Sequence, residues 1–305
     1  MAKTSITDLT PLAPPAWRPV HATRRASPVA GQRRRAAALA AAGVLVALAV
    51  VAVVVPLAVP LNQRLVDLTQ VNAPPSLTHL FGTDELGRDV LLRCVYGLRI
   101  SLAIGAAAAL TSTLIGGAVG LTAAAFGGWV DRALMRVLDG VASLPHLLLG
   151  IFIVVLFRRG ALPVIAAVAL THWLSTARIV RSEVLSLRER PLVDAAISGG
   201  ASRWRVVRRH LAPNIVPHVA LATVLMLPHA IWHESALSFL GLGLPPHLAS
   251  LGNMIADGRR SVLAGAWWPS FFPGLAIVVP TLAVSACGGW LRDRINPRWR
   301  SELQL

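Results

Sequence analysis

Lysine is nearly absent from this chain of 305 residues: Lys3 is the only one, and arginine supplies almost all of the positive charge. A nucleotide-binding P-loop requires a lysine that follows a glycine-rich turn and reaches the terminal phosphates of ATP. Lys3 lies instead in a basic tail at the start of the sequence. The scarcity of lysine therefore excludes ATP hydrolysis at a Walker-type P-loop on this chain.

Charge of either sign is also scarce. Charged residues make up 14% of the chain, hydrophobic residues make up 55%, and the mean hydropathy is +0.63. A soluble domain of this length rarely carries so few charges, so the composition indicates an integral membrane protein. The formal net charge of +15 comes from arginines at the ends of apolar runs. That distribution is typical of cytoplasmic anchoring and not of nucleic-acid binding.

Three further absences narrow the class. The two cysteines, Cys94 and Cys287, lie too far apart for a disulfide framework or for metal-ligand spacing, and we expect both to be small buried residues. Acidic and basic residues are nearly absent from the apolar runs, which argues against an ion-driven transporter with a proton relay. No convincing secretory signal precedes the apolar run that begins at Ala36, so we expect that run to be a retained first span.

Long apolar runs are what the sequence has instead. About 20 apolar helical residues cross a bilayer core, and six segments qualify: Ala36–Val59, Ile100–Ala125, Ala133–Phe157, Leu162–Val180, Ile215–Ile231 and Phe271–Leu291. Prolines interrupt the last two, which helices packed in a bundle tolerate. We therefore predict an all-α integral membrane protein with about six transmembrane helices.

The arginine bias of the short loops sets the orientation, with both termini cytoplasmic. The predicted organisation is a disordered basic cytoplasmic tail over 1–35, a first transmembrane helix over 36–60, a periplasmic segment over 61–98, a transmembrane core over 99–292 and a cytoplasmic tail over 293–305. Glycine steps at Gly116-Gly117 and Gly120 predict close helix packing.

A hydrophilic stretch over about 181–213 falls on the cytoplasmic side. Apolar residues recur there at helical spacing, and Gly199-Gly200 breaks the run. Ser202 is a suitable N-cap for a second helix, Arg203–Leu211, which Pro213 is expected to end. The pattern predicts a helix–turn–helix beneath the membrane.

Part of this stretch resembles the coupling loop of bacterial ABC importer permeases, which has the pattern EAA-x3-G-x9-I-x-L-P. The matching residues are Asp194-Ala195-Ala196, then Gly200 after three residues, then His210-Leu211-Ala212-Pro213 after nine more. Aspartate replaces the usual glutamate, and His-Leu-Ala-Pro replaces Ile-x-Leu-Pro, but the spacing is kept throughout.

Two further motifs resemble one subfamily, the second permease of dipeptide, oligopeptide and nickel importers. They are Phe81-Gly82-Thr83-Asp84-Glu85-Leu86-Gly87-Arg88-Asp89 and Ser238-Phe239-Leu240-Gly241-Leu242-Gly243-Leu244. The resemblance implies a type I ABC importer permease fold in the bacterial inner membrane. It also implies a permease subunit for short peptides, with nickel or a metal–metallophore complex as the alternative cargo.

The resemblance implies partners as well. They are a homologous second permease, two ATPase subunits or one fused ATPase, an extracytoplasmic binding protein and membrane lipid, with no nucleic acid. ATP and Mg²⁺ would be bound by the ATPases, and no cofactor by this chain. The residues expected to take part in coupling to the ATPase are Asp194, Ala195, Ala196, Gly200, Ser202, Arg205 and Pro213.

The acidic outer motif permits two interpretations. Asp84, Glu85 and Asp89 lie close enough together to suggest a metal site, but Arg88 and Arg93 lie among them, and charge pairing satisfies carboxylates without a cation. We favour pairing, with the glycines of the motif in a compact turn that docks onto the second span. Binding-protein contact or gating is then the expected role of the motif residues, which are Phe81, Gly82, Thr83, Asp84, Glu85, Gly87, Arg88 and Asp89.

A polar group, His229, His233 and Glu234, is expected on the translocation path. Two histidines four residues apart share one helix face, and imidazole is a ligand for nickel, zinc and copper. The spacing is not that of a zincin, which requires His-Glu-x-x-His. Three interpretations remain open: transient metal ligands, histidines that hydrogen-bond at a helix end, and a membrane metalloenzyme. His146 and His172 are expected to be satisfied interfacial or interior groups.

Overall fold

The computed structural model describes residues 28–61 and 66–295, and within them the chain is helical with a single isolated bridge between Thr83 and Asp89. The helices are α1 Pro28–Ala58, α2 Val90–Phe126, α3 Gly128–Ala142, α4 His146–Phe157, α5 Ala161–Arg188, α6 Pro191–Ser198, α7 Arg203–Val206, α8 Ala212–Phe239, α9 Leu251–Leu263 and α10 Trp268–Ile295, with a 3-10 turn at Leu68–Gln70 and a π turn at Val207–Leu211.

Within residues 28–61 and 66–295, five helical stretches are long and apolar enough to cross a membrane. They are Gln32–Ala58, Val90–Phe126, Ala161–Arg188, Arg203–Phe239 and Trp268–Arg294. The remaining expected span, Ala133–Phe157, is divided between α3 and α4, whose axes differ by 87°. The described residues therefore contain five candidate spans, or six if this bent pair is counted as one.

Pro145 explains the division of that span. A proline lacks an amide hydrogen and disfavours a helical conformation in the residue before it, so α3 ends at Ala142 and α4 starts after Pro145. With 12 residues, α4 is about 18 Å long, which is shorter than the hydrocarbon core. The prediction of one continuous helix here was wrong.

The first helix starts earlier than expected. Helix α1 begins at Pro28, so the boundary of the predicted disordered tail at residue 35 was wrong; residues 1–27 of that tail lie outside the described residues. Arg34 lies 3.2 Å from Asp293 near the end of α10, which joins the first and last helices. Of the predicted tail over 293–305, residues 296–305 also lie outside the described residues.

Helices α2 and α5 form the centre of the bundle. Alanines such as Ala108 and Ala109 on α2 are fully buried. A Cβ atom at Gly116 would collide with the Trp173 carbonyl, and one at Gly120 with the Ala177 carbonyl, so only glycine permits this approach of the two helices. The close packing predicted from the glycine steps is confirmed, and it lies inside the bundle.

The helices over 181–213 differ from the prediction at two points. Helix α5 runs on to Arg188, and Pro191 opens the separate helix α6, so the apolar pattern over 184–197 is divided. Pro213 does not end a helix, because the amide of Ala212 bonds to the carbonyl of Val207 in a π turn that leads directly into α8. The π turn accommodates the proline, and α7 and α8 become one long rod.

Candidate functional site

The segment α6–α7 is fixed to the ends of the spans by a hydrophobic cluster. Its buried members include Val193 on α6 and Val206 on α7, which pack with Val184 and Leu187 near the end of α5 and with Ala124 near the end of α2. Since these side chains are almost inaccessible to solvent, α6–α7 and the ends of α2 and α5 are closely packed as one unit.

Arginines of α5 reinforce this attachment. Arg181 forms a two-pronged ion pair with Asp131 on α3, with N–O distances of 2.6 and 2.7 Å. Arg188 donates to the carbonyl of Ala124 at 2.6 Å, near the carboxyl end of α2. A bidentate guanidinium–carboxylate pair fixes both distance and orientation, so α3, α5 and the end of α2 form a firm base for α6–α7.

The opposite face of α6–α7 is open. Leu192, Ile197 and Trp204 are 67%, 56% and 64% exposed. The turn between the helices contains Gly200, whose φ of +82° favours glycine, and Ser202 caps α7 by accepting from the Arg205 amide. The N-cap and the glycine turn predicted from the sequence are both confirmed. Of the predicted coupling residues, Asp194, Ala195, Gly200, Ser202, Arg205 and Pro213 are exposed and Ala196 is half-buried.

At the other end of the bundle, the acidic motif forms a compact loop around Asp84. This carboxylate is 4% exposed; it accepts from the Leu86 and Arg88 amides, from Arg88 Nε at 2.8 Å and from Arg93 Nη1. The pairing expected for Asp84 with Arg88 and Arg93 is confirmed.

The other two acids of the motif have partners as well. Asp89 caps α2 by accepting from the Leu92 amide, and it lies 2.8 Å from His79 Nδ1. Glu85 lies 3.7 Å from the exposed Arg260. Hydrogen bonds and charges within the chain thus occupy the carboxylates that a metal would need.

The glycines of the motif permit its close packing. Gly82 and Gly87 have φ values of +71° and +70°, and a Cβ atom at Gly82 would lie 2.6 Å from the Trp268 ring. Trp268 Nε1 donates to the Thr83 carbonyl at 3.0 Å, and Phe81 stacks on Phe272 with centroids 3.9 Å apart. The loop therefore docks against the start of α10 as well as on α2, the second span to which the sequence assigned it.

Helix α9 adds a further acid beside this loop. Asp257 Oδ2 lies 3.6 Å from Arg88 Nη2 and 3.7 Å from Arg93 Nη2. Burial raises the pKa of the Asp257 carboxyl, and the neighbouring Arg93 and Arg88 oppose that shift. The two arginines thus link the acidic motif to α9.

Three histidines from separate elements meet on one side of the bundle. They are His146 at the start of α4, His172 on α5 and His233 on α8, and one ring nitrogen of each lies within 4.8 Å of the others. The ring centroids of His172 and His233 are 4.4 Å apart, and that of His146 lies 5.1 Å from His233. We call these three residues the histidine cluster.

The histidine cluster borders a cavity of about 340 Å³. His229, one turn before His233 on α8, lines the same cavity and is exposed, as the shared helix face predicted. Thr171, Ser175 and Arg178 of α5 contribute further polar groups to the wall.

Glu234 does not join this cavity. Its side chain is fully buried and accepts from Ser101 on α2 at 2.7 Å and from Ser238 at 2.9 Å. A residue adjacent to His233 on a helix projects about 100° away from it. The grouping of His229, His233 and Glu234 at one site was therefore wrong for the glutamate, which instead links α8 to α2.

The sequence did not reveal that His146 and His172 belong to this site. Both were expected to be satisfied interfacial or interior groups. Among residues 28–61 and 66–295, His172 has such a bond, with Nδ1 3.2 Å from the Val168 carbonyl, and His146 has none. The spacing of residues in the sequence predicts which of them share a face of one helix. The three histidines lie on different helices and meet only through the packing of α4, α5 and α8.

Comparison with protein families now gives this geometry a context. Residues 116–301 match the family model described as a binding-protein-dependent transport system inner membrane component. That range covers more than half of the chain. The chain belongs to this family.

Individual relatives of this inner-membrane transport component agree with the family match. The chain is 41% identical over 263 residues to the dipeptide transport system permease protein DppC of Bacillus subtilis, covering 86% of this chain and 82% of that protein. It is 40% identical over 266 residues to the oligopeptide transport system permease protein OppC of Escherichia coli K12, covering 86% and 88%. The helical architecture is that of a type I ABC permease, a subunit class without enzymatic activity of its own.

The matched range contains most of the candidate sites of this transport component. Segment α6–α7, the histidine cluster and His229 all lie inside residues 116–301, whereas the acidic motif at 81–89 precedes that range.

Proposed function

We propose that this chain is the second of two permease subunits in an ATP-driven importer of short peptides. Relatives named for dipeptide and oligopeptide transport share 41% and 40% of their residues with it over most of both chains, which supports peptides as the cargo. The absence of a P-loop lysine supports a separate source of energy.

The exposed face of α6–α7 carries this proposal. Large apolar side chains at Leu192, Ile197 and Trp204 are exposed on a segment that is attached to the bundle through buried Val193 and Val206. A contiguous exposed apolar patch on a polar rim is typical of a protein-binding surface. Asp194 and Arg205 supply charges beside it. An ATPase cleft that receives this face would use ATP binding to move α2 and α5 through the contacts of Val193 and Val206.

The complete machine then needs several partners. A homologous permease would complete the pore, two ATPase subunits or one fused ATPase would bind ATP and Mg²⁺, and an extracytoplasmic binding protein would deliver the cargo. In this arrangement both termini and α6–α7 face the cytoplasm, and the acidic motif faces the periplasm. Transport would proceed by alternating access, without covalent chemistry on this chain.

The cavity beside the histidine cluster is the proposed part of the translocation path. Polar side chains at membrane depth generally line a path or a bundle interior, and His229 is exposed to this cavity. The histidines also favour a second candidate cargo, nickel or a metal chelate. A metalloenzyme that uses His229, His233 and Glu234 around one metal is disfavoured, because Glu234 is buried against Ser101, away from the two histidines.

Reconstitution tests the proposal directly. The permease pair, ATPase and binding protein are placed in proteoliposomes, and ATP hydrolysis and uptake are measured with di- and tripeptides, Ni²⁺ and chelated metal. We expect peptides to stimulate both activities several-fold. Stimulation by metal species alone would replace the peptide assignment with the second cargo, and ATP hydrolysis by the chain without partners would refute a separate ATPase.

A variant tests the coupling surface. Ile197→Asp places a charge on the exposed apolar face, and we expect it to reduce co-purification of the ATPase by at least about tenfold. Leu263→Asp is the control, because Leu263 is 88% exposed on α9, away from α6–α7. Equal recovery of the ATPase with both variants would contradict the assignment of this face.

A further inference from the structure

We propose that His146, His172 and His233 form a binding site for a divalent transition-metal ion, with one coordination position open to the cavity. The inference goes beyond the proposed function, because such a site binds its ion whether the cargo is a peptide or a metal chelate. Three imidazoles from α4, α5 and α8 come together although their residues are distant in sequence, and one ring nitrogen of each lies within 4.8 Å of the others.

The donor set selects the class of ion. The side chains that line the cavity in the described part of the chain are apolar, imidazole, hydroxyl or guanidinium groups, without a carboxylate. Calcium and magnesium require oxygen ligands, whereas imidazole suits zinc, nickel, cobalt and copper. Arg178 on the same wall donates to Asp139 at 3.1 Å, which offsets its positive charge.

The hydrogen bonds of His172 prepare one ligand. Its Nδ1 lies 3.2 Å from the Val168 carbonyl and 2.7 Å from Thr171 Oγ1, and that hydroxyl donates its own proton to the Ala167 carbonyl at 2.8 Å. With a hydrogen on Nδ1 that is donated to the Val168 carbonyl, Nε2 would keep the lone pair that a metal requires. A metal-binding histidine typically has this arrangement, in which a backbone carbonyl fixes the tautomer.

His146 and His233 are equally available. Within the described residues, no hydrogen bond involves their ring nitrogens, although His233 is 5% exposed. A void of about 10 Å³ lies directly against both rings, enough for one small occupant. Zinc–nitrogen bonds of about 2.1 Å separate tetrahedral ligands by about 3.4 Å, so side-chain rotation closes the cluster around an ion.

Three protein ligands leave the fourth position of a tetrahedral ion free. Closed structural sites use four protein ligands, and sites with three accept water or an incoming ligand. All three rings border the cavity, where His229 also lines the wall, so an incoming ligand would approach the ion from that side. A bound ion would also tie the start of α4 to α5 and α8.

Cobalt provides the test, because tetrahedral Co²⁺ absorbs visible light far more strongly than octahedral Co²⁺. The assembled transporter is stripped of metal in lipid nanodiscs and titrated with Co²⁺, and Zn²⁺ is then added as a competitor. We expect one tetrahedral Co²⁺ for each copy of this chain, displaced by Zn²⁺. Replacing His146, His172 or His233 by alanine should weaken binding by about 100-fold or more.

His247→Ala is the matched control, since His247 is exposed on the loop between α8 and α9 and lies outside the histidine cluster. It should bind Co²⁺ as the unaltered protein does. Binding that survives all three cluster variants, or the absence of a tetrahedral band, overturns the proposal. If a variant fails to assemble, X-ray absorption on the unaltered transporter decides: three imidazoles support the site, and one or none refutes it.

Discussion

The acidic motif and the histidine cluster both bring ionisable side chains together, but they differ in whether those side chains have partners within the chain. Asp84 accepts four hydrogen bonds and is 4% exposed, so its binding capacity is used within the chain. The rings of His146 and His233 contact one another and border open space. Occupied polar groups stabilise a structure, and available ones bind ligands. The acidic motif is therefore a structural element of the fold, and the histidine cluster is a candidate ligand site.

The largest expected effect on the free energy of unfolding comes from removing the central carboxylate of the acidic motif. Asp84→Ala leaves Arg93 buried at 2% exposure without its main partner, while Arg93 Nη2 already lacks a hydrogen bond. Removing one member of a buried pair typically costs about 3–5 kcal/mol, and we expect a loss of that size in the free energy of unfolding, measured by denaturant titration in detergent.

Glu85→Ala is the control for that variant, because Glu85 lies at 3.7 Å from the exposed Arg260. It should change the free energy of unfolding by less than about 1 kcal/mol. Equal losses for both variants would mean that Asp84 is not the centre of the loop.

A smaller effect is expected from the turn that encloses Asp84. Gly87→Ala combines a positive φ with a collision between the new Cβ and the Asp67 backbone, so we expect a loss of about 2–4 kcal/mol. Gly241→Ala has a similar φ of +74° and open space around it, and should cost about 1 kcal/mol. The difference between their unfolding free energies measures the packing term, and its absence would contradict the tight docking of the loop.

The smallest effect should come from the histidine cluster. His146→Gln removes an exposed ring that makes no hydrogen bond in the described part of the chain, so the free energy of unfolding should change by about 0.5 kcal/mol or less. The same denaturant titration in metal-free buffer measures it. A loss above about 1.5 kcal/mol would show that the cluster is a structural element like the acidic motif.

The spans were predictable because apolar length is a local property, and the proline residues show the limit of that approach. Pro217 and Pro228 lie inside α8, and Pro273 and Pro280 inside α10, whereas Pro145 separates α3 from α4. A proline in the sequence shows only that one backbone hydrogen bond of the helix is missing. Whether the helix then continues depends on the neighbouring helices, which no local pattern encodes.

The candidate sites divide in the same way. The acidic motif was predictable down to its charge pairs, because Asp84, Arg88 and Arg93 lie within ten residues of one another. The histidine cluster was not, because its members come from residues 146, 172 and 233. Sequence adjacency was misleading for Glu234, which lies next to His233 on the helix but contacts Ser101 on another side.

Helices α7 and α8 are joined by the π turn without a loop, so they form one long helical stretch. Trp204, on the exposed face of α6–α7, and His233, beside the cavity, belong to one continuous helical stretch over Arg203–Phe239. At about 1.5 Å per residue, the two side chains are separated by roughly 40 Å. Because the stretch is continuous, a tilt of its Arg203 end would also move His233 at the cavity wall, less any bending taken up at the π turn Val207–Leu211.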